Sequence, residues 1–309
     1  MGDIQAREQD RFCKAALVSL IGLGSNFLHA ALKIGVGTLT GYQALIASGI
    51  HSISDLVSDL FAILALRLGS HGADTRFHYG YRKIETVASV LVAALLVFAA
   101  IEVVEHAFTH EESGEAITQG WAWILGVTSF GIVTREYLFH YTKRKGIELN
   151  SPLLVAKAWH HRTDALSAGA VLVGLIVGFL FPEAEAVDAI ATLFVSGFIL
   201  HGAWEVGSKA VKELIDYAPS LKVVALVEEM ADTIPEVTFT HNIRIRTMGG
   251  ALYVELTAEV SPGISVEEGW GVARKIKQAI TDHVENVMDV RVEVTPTGDY
   301  LKSNYPELL

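Results

Sequence analysis

Two short stretches of this sequence pair a histidine with an aspartate four residues on: His51-Ser52-Ile53-Ser54-Asp55 and His160-His161-Arg162-Thr163-Asp164. Residues four apart share one face of a helix. Both pairs fall inside long apolar runs, where an ionisable side chain is expensive and marks a functional site by default. Two imidazoles and two carboxylates form a donor set suited to a tetrahedral divalent metal, zinc above all. The competing reading makes each His–Asp pair a helix-packing hydrogen bond. Two such pairs on suitably oriented helices are hard to reach by chance.

The elements that must position these residues are membrane spans. Of the 309 residues, 51% are hydrophobic, above the usual share for a soluble domain, and the excess lies before about residue 206. Six apolar segments, roughly 12–37, 42–68, 84–108, 118–142, 151–181 and 186–206, each approach the ~20 residues a spanning helix needs. Met1 to Lys14 is polar and charged and does not read as a signal peptide. The single cysteine, Cys13, forms no internal disulfide, which fits a reducing cytoplasmic face. A net charge of −11 argues against a nucleic-acid partner.

The connections alternate in charge. Arg7, Arg11 and Lys14 begin one set, followed by Arg76, Arg82 and Lys83, then Lys143 to Lys145, then Lys209 and Lys212. The other set, Thr38 to Gln43, His110 to Glu115 and Phe181 to Glu185, has no Lys or Arg. Positive charge stays on the cytoplasmic side, so both termini are expected there and the span count is even. The second and fifth spans are then antiparallel, with His51 level with Asp164 and Asp55 level with His160. Both pairs sit some ten residues, about 15 Å, from a span end, near the depth where transporters hold their substrates.

After Lys209 the pattern changes. Residues 221–233 and 265–283 read as amphipathic helices, and 239–247, 252–260 and 289–295 alternate as strands, with a turn at Gly249-Gly250. The expected architecture is a polytopic α-helical membrane protein of six transmembrane helices, followed by a small cytoplasmic α+β domain of order αββαβ, ferredoxin-like. The expected divisions are a cytoplasmic tail at 1–11, a membrane domain at 12–206, a linker at 207–220, the αββαβ domain at 221–296 and a C-terminal tail at 297–309.

In combination these features resemble the cation diffusion facilitator family, zinc-type. Supporting stretches are Ala47 to Asp55, Asn150-Ser151-Pro152-Leu153, Ala158 to Ser167 and Leu214 to Pro219. The resemblance implies a homodimer in the cytoplasmic membrane that exports a divalent cation in exchange for protons. It implies a transport site of His51, Asp55, His160 and Asp164, with histidine at position 51 pointing to Zn2+ as the transported substrate. It also implies a charge pair between Lys83, opening the third span, and Asp216, just past the sixth. The loop that usually carries two histidines reads Phe77-His78-Tyr79-Gly80-Tyr81-Arg82 here, so its metal site is expected to be absent in the usual form. Asp74 remains as an accessory candidate there. In the cytoplasmic domain His241 falls on a ligand position, Thr257, Trp270 and Glu293 stand where other members have histidine, and Glu293 and His283 are accessory candidates.

Imidazole and carboxylate must shed protons to bind metal, so metal and protons compete for the same atoms, which yields antiport without a separate proton carrier. Cd(II), Co(II), Fe(II), Ni(II) and Mn(II) are alternative cargoes, and a non-transporting, membrane-anchored metal sensor or scaffold is the alternative class. A metallohydrolase would want a glutamate base as in His-Glu-x-x-His, which the sequence lacks, so no enzyme and no organic cofactor are expected. Asp59, one turn beyond Asp55, reads either as the lining of a cytoplasmic mouth or as a carboxylate held by Ser or Arg at the membrane edge.

Overall fold

The computed structural model describes residues 2–41, 43–108, 120–180 and 185–298. Residues 1, 42, 109–119, 181–184 and 299–309 lie outside them. The chain divides into two compact units, Met1–Val211 and Lys212–Leu309.

Six long helices dominate: α1 (Gly2–Thr40), α2 (Gln43–Gly69), α3 (Lys83–Phe108), α4 (Trp121–Glu148), α5 (Pro152–Leu180) and α6 (Glu185–Leu214). Each matches an apolar run of the sequence, and α1, α4 and α6 continue past theirs at a polar end. Lys143, Arg144 and Lys145 are good helix formers and carry α4 on to Glu148. The helices stop where the backbone turns left-handed, at Asn150 (φ 48°) after α4 and Asp216 (φ 55°) after α6. Over Gln9–Thr40, Ser48–Gly69 and Lys83–Glu105 the first three are long and apolar enough to cross a membrane.

Burial in the helical unit is inverted relative to a soluble protein. Phe98, Val133 and Phe194 point outward, each more than 65% exposed, while Ser19, Asn26, Ser52, Asp55, Asp59 and Ser89 are buried. Small residues let the helices close on this polar interior. A side chain at Gly49 would meet Ile34 of α1, and one at Gly202 of α6 would meet the Trp159 ring of α5 at 2.4 Å. One end of the bundle gathers the start of α1, the start of α3 and the α4–α5 turn. There Arg11 donates to Leu149 O at 2.8 Å and to Glu85 at 2.9 Å, and Ser151 donates to Glu85. These are connections that the charge pattern assigns to one side.

The second unit contains α7 (Leu221–Asp232), β1 (Val237–Met248), β2 (Ala251–Val260), α8 (Val266–His283) and β3 (Val287–Pro296), which is the expected αββαβ order. The three-stranded sheet runs β1-β2-β3, with β1 antiparallel and β3 parallel to β2. Gly249 and Gly250 both take positive φ (56° and 76°), as a two-residue hairpin turn requires. Val227 and Ala231 of α7 and Val272, Ile276 and Ile280 of α8 pack on Val254, Leu256, Ala258 and Val290 of the sheet. A capping box starts α8: Ser265 Oγ accepts from the Glu268 amide while the Glu268 carboxylate accepts from the Ser265 amide.

Candidate metal centre

The buried stripe of α2 runs through Ser52, Asp55, Asp59, Ala62 and Leu66, and that of α5 through Lys157, His161 and Asp164. Where the two meet, donor atoms of Asp55, His160 and Asp164 lie within 4.8 Å of one another. His160 Nε2 is 3.3 Å from Asp55 Oδ1 and 3.9 Å from Asp164 Oδ2. Neither His160 Nε2 nor Asp164 Oδ2 makes an aligned hydrogen bond among the described residues. An imidazole nitrogen and two carboxylate oxygens converging in this way suit a cation. In a tetrahedral zinc site with bonds of about 2.0–2.1 Å, neighbouring donors stand about 3.3 Å apart. Of the three edges, His160–Asp55 already has that length, His160–Asp164 exceeds it by about 0.6 Å, and the Asp55–Asp164 edge lies within 4.8 Å.

His51 is not part of this convergence. It lies one turn before Asp55 on α2, at the flank of the buried stripe. Ser52 takes the inward position, and the His51 side chain is exposed.

Three basic residues inside the bundle complete the local charge pattern. Arg135 of α4, only 4% exposed, donates from Nη2 to Asp55 Oδ2 at 3.2 Å, and its Nη1 lies 3.1 Å from Asp164 Oδ2. One turn further along α2, Asp59 is held by Lys157 Nζ at 2.8 Å on one oxygen and by Asn26 Nδ2 at 2.9 Å on the other. On the opposite side Lys33 of α1 donates to Ser48 Oγ at 2.9 Å. Asp55, Asp59 and Asp164 are thus matched by Lys33, Arg135 and Lys157. Asp59 is a paired carboxylate, though its partners are a lysine and an asparagine rather than a serine or arginine. Arg162, next to the site in sequence, instead lies over the Phe139 ring at 4.4 Å.

The spacing rule that finds the His–Asp pairs passes over Arg135, Lys157 and Asn26. A signal was present all the same: Arg135 is a charge in the middle of an apolar segment, and Lys157 precedes His160 and Asp164 by three and seven residues on one helical face.

The accessory candidates are dispersed. Asp74 organises the α2–α3 loop: Oδ1 accepts from the amides of Arg76 and Phe77 at 2.7 Å each, and Oδ2 accepts from the Tyr81 hydroxyl at 2.7 Å. The Tyr81 hydroxyl, and then the two amides, hold this exposed carboxyl below its ordinary pKa. His241, Thr257 and Glu293 share one row across β1, β2 and β3, and His241 Nε2 lies 3.6 Å from Glu259 Oε1. Glu293 is exposed, and His283, at the end of α8, turns its Nδ1 to Ala279 O at 2.9 Å. Lys83 opens α3, and Asp216 follows α6 in the left-handed conformation.

Membrane-length helices around a buried imidazole–carboxylate cluster, joined in sequence to a small α+β unit, define a polytopic membrane protein equipped to handle a divalent cation. The chain belongs to the cation diffusion facilitator family. Residues 19–215 match the cation efflux transmembrane domain, and residues 219–297 match the cytoplasmic domain of cation efflux proteins. An uncharacterised transporter of Methanocaldococcus jannaschii is 32% identical over 91% of this chain and 97% of its own length. The magnetosome protein MamB of Magnetospirillum gryphiswaldense is 30% identical over 84% of this chain and 87% of its own. Mitochondrial metal transporter 1 of Saccharomyces cerevisiae is 30% identical over 94% of this chain and 64% of its own. The protein is a divalent metal cation efflux transporter, of a family of transporters rather than enzymes.

Proposed function

We propose that the protein exports zinc across the cytoplasmic membrane in exchange for protons, as a homodimer with both termini in the cytoplasm. The observation that supports this most is the convergence of donor atoms of Asp55, His160 and Asp164 within 4.8 Å of one another inside the bundle. His51 completes a four-donor set by rotating its ring inward from the flank of α2. Imidazole, with an ordinary pKa of about 6.5, is the donor most easily switched between metal and proton near neutral pH. Rocking of the helices would expose the site to one side at a time. We assign Lys83 and Asp216 to the charge pair at the membrane boundary.

The exposure of His51 favours a second reading for the cargo. Without it, two carboxylates and one imidazole make an oxygen-richer set that suits Mn(II), Fe(II) or Co(II) better than a His2Asp2 set does. Liposomes carrying the purified protein, a metal-sensing dye and a pH dye test both readings. Zinc is expected to move against protons, and Asp55→Ala and Asp164→Ala each to stop both fluxes. No divalent flux under a proton gradient refutes the transporter mechanism, and preference for Mn(II) or Fe(II) over zinc refutes the zinc assignment alone.

A further inference from the structure

The cluster proposed to take the metal already holds a cation. Arg135 reaches from the middle of α4 to both carboxylates, and the atoms it uses overlap those a metal would need. Asp55 divides its oxygens, with Oδ1 facing His160 Nε2 and Oδ2 accepting from Arg135 Nη2. Asp164 does not divide them: its Oδ2 faces both Arg135 Nη1 at 3.1 Å and His160 Nε2 at 3.9 Å. An ion bound to His160 Nε2, Asp55 Oδ1 and Asp164 Oδ2 would compete with the guanidinium for Asp164 Oδ2. Its positive charge would also sit against the arginine in a water-poor interior, where like charges repel strongly. Arginine stays protonated in proteins, so it cannot relieve that repulsion by losing its charge.

We infer that Arg135 is a tethered counter-cation, which stands in for the metal while the carrier is empty and must release Asp164 for the metal to bind. This rests on the metal-site reading above. The grip is suited to release. Only the Asp55 contact is an aligned hydrogen bond, the Asp164 contact is an ion pair without that alignment, and Arg135 Nε has no partner among the described residues. Arg135 therefore acts in two ways. It supplies a permanent positive charge to the two carboxylates of the empty bundle, whose other basic neighbour is the imidazole of His160. It also lowers the affinity for the metal, because part of the binding free energy is used to displace it, and that keeps the bound ion releasable. An arginine serving only to pack the helices would have the opposite effect, since its loss would disorder the donors and weaken binding.

The test uses the full-length protein in detergent micelles, with Co(II) followed by its visible absorption and Zn(II) by competition. Asp164→Asn is expected to abolish the signal; a signal that persists in Asp164→Asn refutes the metal site itself and is distinct from the outcomes below. Arg135→Gln is expected to bind Co(II) at least tenfold more tightly than the wild type, with Arg135→Lys intermediate, because an ammonium does not span two carboxylates as a guanidinium does. In liposomes Arg135→Gln should lower KM and maximal flux together, as tighter binding slows release. Equal or weaker binding by a variant that elutes as the wild type does overturns the inference. A measurement on the wild type needs no variant to fold: modification of Arg135 by phenylglyoxal, scored by peptide mass spectrometry, is expected to accelerate when Co(II) is added. An unchanged or slower rate overturns the inference.

Discussion

Replacing Lys157 by methionine should destabilise the helical unit by about 3–4 kcal/mol, because it breaks one buried ion pair. Lys157 Nζ lies 2.8 Å from Asp59 Oδ1, with the side chains 5% and 2% exposed. At an effective dielectric constant of about 20, the attraction at that separation is roughly 6 kcal/mol. Desolvation of the two charges offsets much of it, but removing one partner leaves the other's desolvation unmet, which typically costs about 3–5 kcal/mol. Asn26 keeps its bond to the other oxygen and does not replace the charge. The double variant Lys157→Met/Asp59→Leu removes both charges and should recover most of the loss, with a coupling of at least about 2 kcal/mol. Unfolding of the purified protein, titrated with SDS in mixed micelles, measures all four corners of the cycle. Additive losses, or single variants within about 0.5 kcal/mol of the wild type, would show that this pair does not hold the bundle beside the site.

Two further expectations concern the supports of the site. Gly202→Ala places a carbon 2.4 Å from Trp159 Cε3, a ring packed against Phe139 with the Lys143 ammonium 5.1 Å from its centroid. Overpacking of this kind costs about 1–3 kcal/mol, and since Trp159 immediately precedes His160, Co(II) binding should weaken along with the melting temperature. In the α2–α3 loop the Asp74 carboxyl is held below its ordinary pKa, so its contribution to loop order is present above the unfolded value of about 3.9 and is lost as pH falls through the depressed one. Tyr81→Phe should move its titration, read by carboxyl carbon NMR, back toward the ordinary range, while Asp74→Ala should loosen the loop and leave metal affinity unchanged. Loss of a metal equivalent in Asp74→Ala would contradict its role as a loop anchor.

Much of the fold was legible because its two parts use different periods. Runs of about 20 apolar residues separated by Gly, Pro and charged turns mark helices whatever their neighbours are. Alternation around Ile243, Val254 and Val290 marks strands on either side of a Gly-Gly turn. Helix ends were less legible, because polarity ends a membrane segment without ending a helix. The backbone reversals at Asn150 and Asp216 set the real limits. At the site, Asp55, His160 and Asp164 were legible from a local rule, since four residues along a helix is a fixed geometry. His51 obeys the same rule yet sits at the flank, because the spacing fixes an angle between two side chains and not which of them points inward. Ser52 settles that on α2, and only the packing of α1 on α2, where Lys33 Nζ donates to Ser52 Oγ, shows it.

Arg135 and Lys157 were illegible for a different reason, and it bears on how the site is built. Their partners lie on other helices, so no spacing in the sequence joins Arg135 to Asp55, 80 residues away. Yet each is conspicuous by cost. Arg135 and Glu136 lie in the middle of α4 and dilute its apolar character, and α4 is not among the described helices that qualify as membrane spans on length and composition alone. An arginine is tolerated at that depth only when it faces ionised partners inside the bundle. Asp55 and Asp164 are equally expensive alone and tolerable together with it. The favourable state of α4 therefore depends on α2 and α5 presenting their carboxylates, and theirs depends on α4 presenting its guanidinium. Asp55 and Asp164, which could hold the metal, are thus also residues that let these helices share a membrane. The weakest hydropathy signal among the spans thus falls on the helix that supplies the missing charge, where a search for ligands by spacing alone does not look.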